Sequence, residues 1–215
     1  MTTGNYMDPS EIANLMSKID SYPDEYLPIQ KQAKKYLRNN LCIDGNNTLN
    51  VFHRPWVAPF NWGLMLYQGA DKNWIEQFEE RTQKIIPSTY KSFLLTINGC
   101  FIYDLSLYGL TPSIYLEVTL DRSELQCHDL TTANTDWIFE YKVDENDFHF
   151  GSGTYLYDEK IGYFFDDNKI RSISTNGKLV NEWMNFTDFL SDEISTAEKI
   201  MLAEIPEDTN LLIDE

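Results

Sequence analysis

The chain is 215 residues long, with 17 basic and 34 acidic side chains and a formal net charge of −17. Hydrophobic residues make up 42% and aromatics 14%, more than a disordered acidic chain carries, so a packed core is expected. That charge repels phosphate backbones and anionic lipid, which argues against nucleic-acid or membrane-surface binding and for a basic protein partner.

Three cysteines, Cys42, Cys100 and Cys127, form neither a CxxC pair nor a disulfide framework, which suits a reducing compartment. The first residues show no basic n-region or apolar h-region, and no stretch approaches the ~20 apolar residues of a membrane helix. A cytoplasmic location is the expectation. Charge is unevenly distributed: residues 1–50 hold 6 acids and 5 bases, and residues 51–215 hold 28 acids and 12 bases. This divides the chain into a helical N-terminal extension (1–70) packed on a main α+β domain (71–200), followed by an acidic tail (204–215).

Asp8-Pro9 predicts a capped helix start, and Ile12, Leu15, Met16 and Ile19 follow at one-face spacing. Beyond Tyr22-Pro23, a second amphipathic helix carries Ile29, Ala33, Tyr36, Leu37 and Leu41. Its opposite face is a basic stripe, Lys31, Lys34, Lys35 and Arg38, either a solvated face or a contact for acidic groups. Residues 48–70, with Pro55, Pro59 and several aromatics, read as an irregular connection with one short strand near Leu49–Phe52. A helix is expected from Lys72 to Ile85, with Ile85-Ile86 on its apolar side and Pro87 as its break. The next helix carries Tyr90, Phe93, Leu94 and Ile97 and is expected to close at Asn98-Gly99 in left-handed glycine geometry. Strands and turns should fill 101–120, and a helix 123–133. Trp137, Phe139, Tyr141 and Val143 alternate with polar residues as in a half-buried strand. Strand-like runs follow at 154–157, 162–165 and 169–174, joined by acidic turns, with a hairpin signal at Asn176-Gly177. Phe186, Phe189, Leu190 and Ile194 mark a last helix with Asn185 as N-cap. This order specifies an α+β fold: a curved mixed or antiparallel sheet flanked by helices.

Several motifs resemble the SUKH superfamily, whose name derives partly from fungal regulators of cell-wall synthesis. A glutamate-bearing helix (Trp74 to Glu80) leads into Ile86-Pro87-Ser88-Thr89-Tyr90-Lys91-Ser92-Phe93-Leu94, similar to the family's LP-x-x-Y-K-x-F-L, and then into Asn98-Gly99. Asp129 to Asn134 resembles its D-L-x-x-x-N step, Phe150-Gly151-Ser152-Gly153 its I-G turn, and Trp183 to Leu190 its closing helix. The resemblance covers roughly residues 70–195; Ile86 stands where leucine is usual. It implies the same α+β fold and a non-enzymatic class: bacterial immunity proteins that neutralise toxin domains, often nucleases, or fungal adaptors in wall-synthesis signalling. Its motif residues are expected to be structural, so no catalytic residue is carried over.

The residues themselves point the same way. Cys127-His128-Asp129 places candidate ligands at adjacent positions, whereas zinc sites use spacings such as C-x₂-C or H-x₃-H. Gly151-Ser152-Gly153-Thr154 lacks the lysine of a P-loop and reads as a turn. No cofactor or metal is expected. The candidate partner-binding residues are Asp144, Glu145, Asp147, Asp158, Glu159, Asp166 and Asp167, several in turns expected at one end of the sheet. Their field would steer a basic toxin domain into contact. Trp56, Trp62 and Tyr103 are candidate interface aromatics. The rival reading is an adaptor scaffold with several partners.

Overall fold

The computed structural model describes residues 9–37, 41–58, 61–117, 126–155, 159–166 and 169–206. Nine strands form one open antiparallel sheet in chain order: β1 Leu41–Ile43, β2 Leu49–His53, β3 Trp62–Gln68, β4 Ile97–Ile102, β5 Leu105–Leu107, β6 Phe148–Tyr155, β7 Glu159–Asp166, β8 Lys169–Ser174 and β9 Leu179–Trp183. Seven helices accompany it among the described residues: α1 Pro9–Asp20, α2 Leu27–Tyr36, α3 Lys72–Thr82, α4 Ser88–Thr96, α5 Pro112–Tyr115, α6 Leu130–Thr135 and α7 Phe186–Ala203. The architecture is α+β, as the order of sequence patterns requires.

Side chains alternate across the pleat, so each face of the sheet has its own composition. On the first face Val51, Leu64, Ile102, Leu107, Tyr163, Phe165 and Ile170 are buried. Here α7 lays down Phe186, Phe189, Leu190 and Ile194 at helical spacing, with Phe189 edge-on to Tyr163 and Phe186 stacked on Phe165. Asn185 caps α7 by accepting from the Asp188 N–H at 2.8 Å. Tyr26, just before α2, meets Phe93 of α4 and Phe186 edge-on. One contiguous core therefore runs from Ile19 to Met201. A smaller cluster on the second face joins Ile138, Tyr141, Phe164 and Ile173.

The structure corrects several sequence expectations. Residues 48–70 supply two strands, β2 and β3, not one, and β3 pairs directly with β4; Leu41, expected in the second helix, opens β1 instead, α2 ending at Tyr36. The alternating stretch 137–143 is not a strand. Trp137–Glu140 is a 3-10 turn whose buried member is Ile138; the buried Tyr141 that follows it lies three residues on, the 3-10 repeat. Helix α3 stops at Thr82, where Gln83 takes left-handed geometry, so Ile85 is 75% exposed while Ile86 is buried. Of the expected helix over 123–133, residues 123–125 fall outside the described residues and 126–129 are not helical; α6 begins at Leu130, after the Asp129 cap. Positions 207–215 of the tail also lie outside them.

Two glycines differ from expectation in a telling way. Gly99 does have positive φ, +80°, but it lies inside β4 rather than at a helix end. A Cβ there would come within 2.7 Å of the Leu107 carbonyl oxygen. Gly151 is mid-strand in β6 rather than in a turn, and a Cβ would lie 2.7 Å from the Ser106 carbonyl oxygen.

Candidate functional site

The motif residues act as clamps between elements. Glu79 on α3 accepts the Ile86 N–H at 3.0 Å and pairs with Lys91 of α4 at 2.8 Å, fixing the α3–α4 connection. The buried Tyr90 hydroxyl faces the carbonyls of Tyr108 (2.5 Å) and Phe150 (3.0 Å). Asn98 donates to the Leu110 carbonyl and accepts the Leu110 N–H, both at 2.7 Å. Asp129 caps α6 by accepting from Thr132 N–H at 2.7 Å. Asn134, at the other end of that motif, donates to the His149 carbonyl at 2.8 Å and accepts the His149 N–H at 3.0 Å. Each satisfies backbone groups that burial would otherwise strand, and none is directed at a substrate.

The seven candidate acids do not form one patch. In β6 and β7, Phe148 pairs with Phe165 at one end of the hairpin and Tyr155 with Glu159 at the other. Seven steps of about 3.3 Å separate these ends by roughly 20 Å. Asp144, Glu145, Asp147 and Asp166 lie at the first end; Glu159 begins β7 at the second, and Asp158 and Asp167 lie outside the described residues. At the first end the acids are held by cations. Both Asp147 oxygens lie against Arg171 Nη2, at 3.0 and 3.1 Å, and Arg171 Nε is 3.3 Å from Asp166. Lys84 donates to the Asp147 carbonyl at 3.0 Å. Burial pushes the Asp147 carboxyl up, opposed by Arg171. Asp144 is exposed and accepts both the backbone and side-chain N–H of Asn146 at 2.8 Å, which holds its carboxyl below the usual range. Glu145 is exposed.

Beside this loop sits a residue that the sequence reading placed in a helix. Ile85 is exposed and immediately follows Lys84, whose ammonium reaches the Asp147 carbonyl. Its only sequence signal was the doubled isoleucine before Pro87, and apolar periodicity assigned both to the core. Arg171 was equally invisible, because only the β7–β8 pairing brings it to Asp147 and Asp166.

Other candidates resolve into structural roles. Tyr103 is buried and accepts from Gln32 at 2.7 Å; Trp56 packs partly buried against the core, and Trp62 lies against His53. The basic stripe is largely internal: Lys34 pairs with Asp20 of α1 and Lys35 with Glu198 of α7 at 3.0 Å; Lys31 is exposed and Arg38 lies outside the described residues. In the Cys127-His128-Asp129 run, burial pushes the Cys127 thiol up to about 12, His128 Nδ1 meets Ser106 at 3.0 Å, and Asp129 is the helix cap. His149 is buried, with Nδ1 and Nε2 facing the carbonyls of Ala133 and Gly151 at 3.3 and 3.1 Å. Burial lowers its pKa to about 3, partly offset by those carbonyls. Among the described residues no group of three or more His, Cys, Asp or Glu is placed to hold a metal. No helix among them is long and apolar enough to cross a membrane.

Comparison with known proteins bears on these clamps. No curated protein and no solved structure matches the chain. The SMI1 / KNR4 family (SUKH-1) matches residues 69–192, which carry all of the clamp residues described above and more than half of the chain. The protein therefore belongs to the SMI1 / KNR4 family (SUKH-1).

Proposed function

We propose that the chain is an immunity protein: it binds a basic toxin domain and neutralises it by covering its active or substrate-binding face, with no catalysis of its own. The observation that carries this reading is the loop 144–147, where Asp144 and Glu145 are exposed and Lys84, next in sequence to the exposed Ile85, reaches the Asp147 carbonyl. An aliphatic anchor ringed by charge is the composition of an interface centre and its polar rim. Net charge supplies long-range attraction, raising the encounter rate by ~10–10³-fold at low salt. Arg171 and Lys84 hold the loop in place, so less ordering is needed on binding.

The test separates the two ends of the β6–β7 hairpin. With a captured basic partner, Asp144→Lys with Glu145→Lys should slow association about tenfold at low salt, and Ile85→Ala should speed dissociation by about tenfold. Glu159→Lys, at the other end, should change association less. Unchanged kinetics in all three would remove this surface from the mechanism. A second reading, an adaptor resembling the fungal regulators, draws on the N-terminal segment outside the matched span, which adds faces for further partners. It predicts several partners of modest affinity rather than one stoichiometric toxin.

A further inference from the structure

A groove of about 180 Å³ opens between α1 and the first face of β1–β3. Leu15 and Ile19 of α1 form one wall; Ile43, Leu49 and Leu66 of the sheet form the other. Lys18 and the amides of Asn47 and Gln68 also line it. For scale, an engineered apolar cavity of about 150 Å³ takes up benzene. Of the residues that line it, Thr96 alone falls within the matched span 69–192, so the groove is a feature of this chain's N-terminal segment rather than of the family clamps.

Two further observations define what it would hold. Lys18 is exposed on α1, and among the described residues no carboxylate pairs with it, unlike Lys34 and Lys35 of α2, which meet Asp20 and Glu198. Residues 1–50 also carry almost balanced charge, 6 acids against 5 bases, whereas the rest of the chain has 28 against 12. An anion therefore meets less net negative charge from this segment than from the rest of the chain, with Asp44, in the turn between Ile43 and Asn47, as the nearby carboxylate. Asn47 donates to Gln68 at 2.8 Å, which fixes the polar end of the groove before a ligand arrives.

We propose that this groove is a binding site for a compact organic acid, an aromatic or short aliphatic body seated between Ile19, Leu49 and Leu66 with its carboxylate at Lys18. The site goes beyond toxin neutralisation and is spatially separate from loop 144–147. Its occupancy would tie α1 to the sheet edge.

Amide chemical-shift titration of the full chain with 3-phenylpropionate, its matching alcohol and its matching amine tests the assignment. Expected is saturable binding below roughly 10 mM, with shifts at Lys18, Ile19, Ile43 and Gln68 and the acid preferred over the amine. Lys18→Glu should weaken the acid about fivefold to tenfold and leave the alcohol unchanged. Ile43→Trp, on an edge strand where a larger side chain has room, should abolish binding of all three while the remaining spectrum stays folded. Absence of saturation, shifts elsewhere, or equal affinity for acid and amine overturns the proposal. If the wild type binds no acid and Ile43→Trp instead weakens capture of the protein partner, the groove belongs to that partner and the proposal is likewise overturned.

Discussion

The inner bracing of the matched domain and the contact of helix α2 with α7 rest on different kinds of bond. Within residues 69–192, side chains clamp backbone: Asn98 takes both polar groups of Leu110, and Asn134 both of His149. These bonds are buried, so losing one leaves unsatisfied main-chain groups. Strands β1–β3 of the N-terminal segment continue the same sheet and its apolar residues share the same core, but its helix α2 also meets α7 through a cluster of side-chain hydrogen bonds. Glu198 accepts from Gln32 at 2.6 Å, Lys35 at 3.0 Å and Tyr36 at 2.8 Å. The clamps therefore brace backbone elements of the matched span against one another, while the Glu198 links set how α2 sits against α7.

Perturbations should therefore scale with the kind of attachment. Gly99→Ala should be most severe, since the positive φ and the 2.7 Å approach to Leu107 oxygen combine. Strain plus overpacking should cost about 3–5 kcal/mol in urea denaturation; a loss below about 1 kcal/mol would mean that β4 relaxes there. Asn134→Leu keeps the volume but removes the clamp on β6, and should cost about 2–4 kcal/mol. Global unfolding should carry that loss, with hydrogen exchange accelerated across α6 and β6 together.

His149 offers a pH test of the same buried region. Its folded pKa of about 3 lies below the ordinary 6.5, so the unfolded chain binds more protons between those values. The stabilisation is present above about pH 6.5 and is lost as pH falls toward 3, at up to about 1.4 kcal/mol per pH unit. His149→Gln should flatten the stability–pH slope over that window by up to one proton. An unchanged slope would show that the imidazole is reached by water. The smallest effect is expected at the other attachment. Glu198→Gln should cost about 1 kcal/mol and accelerate hydrogen exchange in α2 without affecting β6; a global loss as large as that of Asn134→Leu would erase the distinction between the two regions.

Much of this was legible in the chain. The Asn185 cap, the Pro9 helix start and the strands β7 and β8 follow from local pattern, because each is fixed by neighbours in sequence; β6 begins six residues before the expected 154–157 run and takes in the glycines read as a turn. Other elements were hidden because long-range pairing decides them. Pro55 and Pro59 mask the β2–β3 connection, and Phe52 takes φ +61°, breaking the alternation that would have announced β2. Phe139 alternates correctly with Tyr141 yet is 73% exposed, because the chain coils there and Ile138 turns inward instead. At the candidate surface, the acids of loop 144–147 were visible as composition. That Glu159 falls at the opposite end of the hairpin, and that Arg171 binds both Asp147 and Asp166, depends on strand register, which composition does not encode.

The central claim is that one end of the sheet, centred on loop 144–147 and Ile85, is the partner-binding surface. Its most direct test is capture from lysate of the native organism on immobilised wild type and on the Asp144→Lys, Glu145→Lys, Ile85→Ala triple variant, with elution by a salt step. The account predicts one stoichiometric basic protein, of toxin-like activity that the wild type suppresses, on the first column and its loss from the second. Equal recovery on both columns would contradict it.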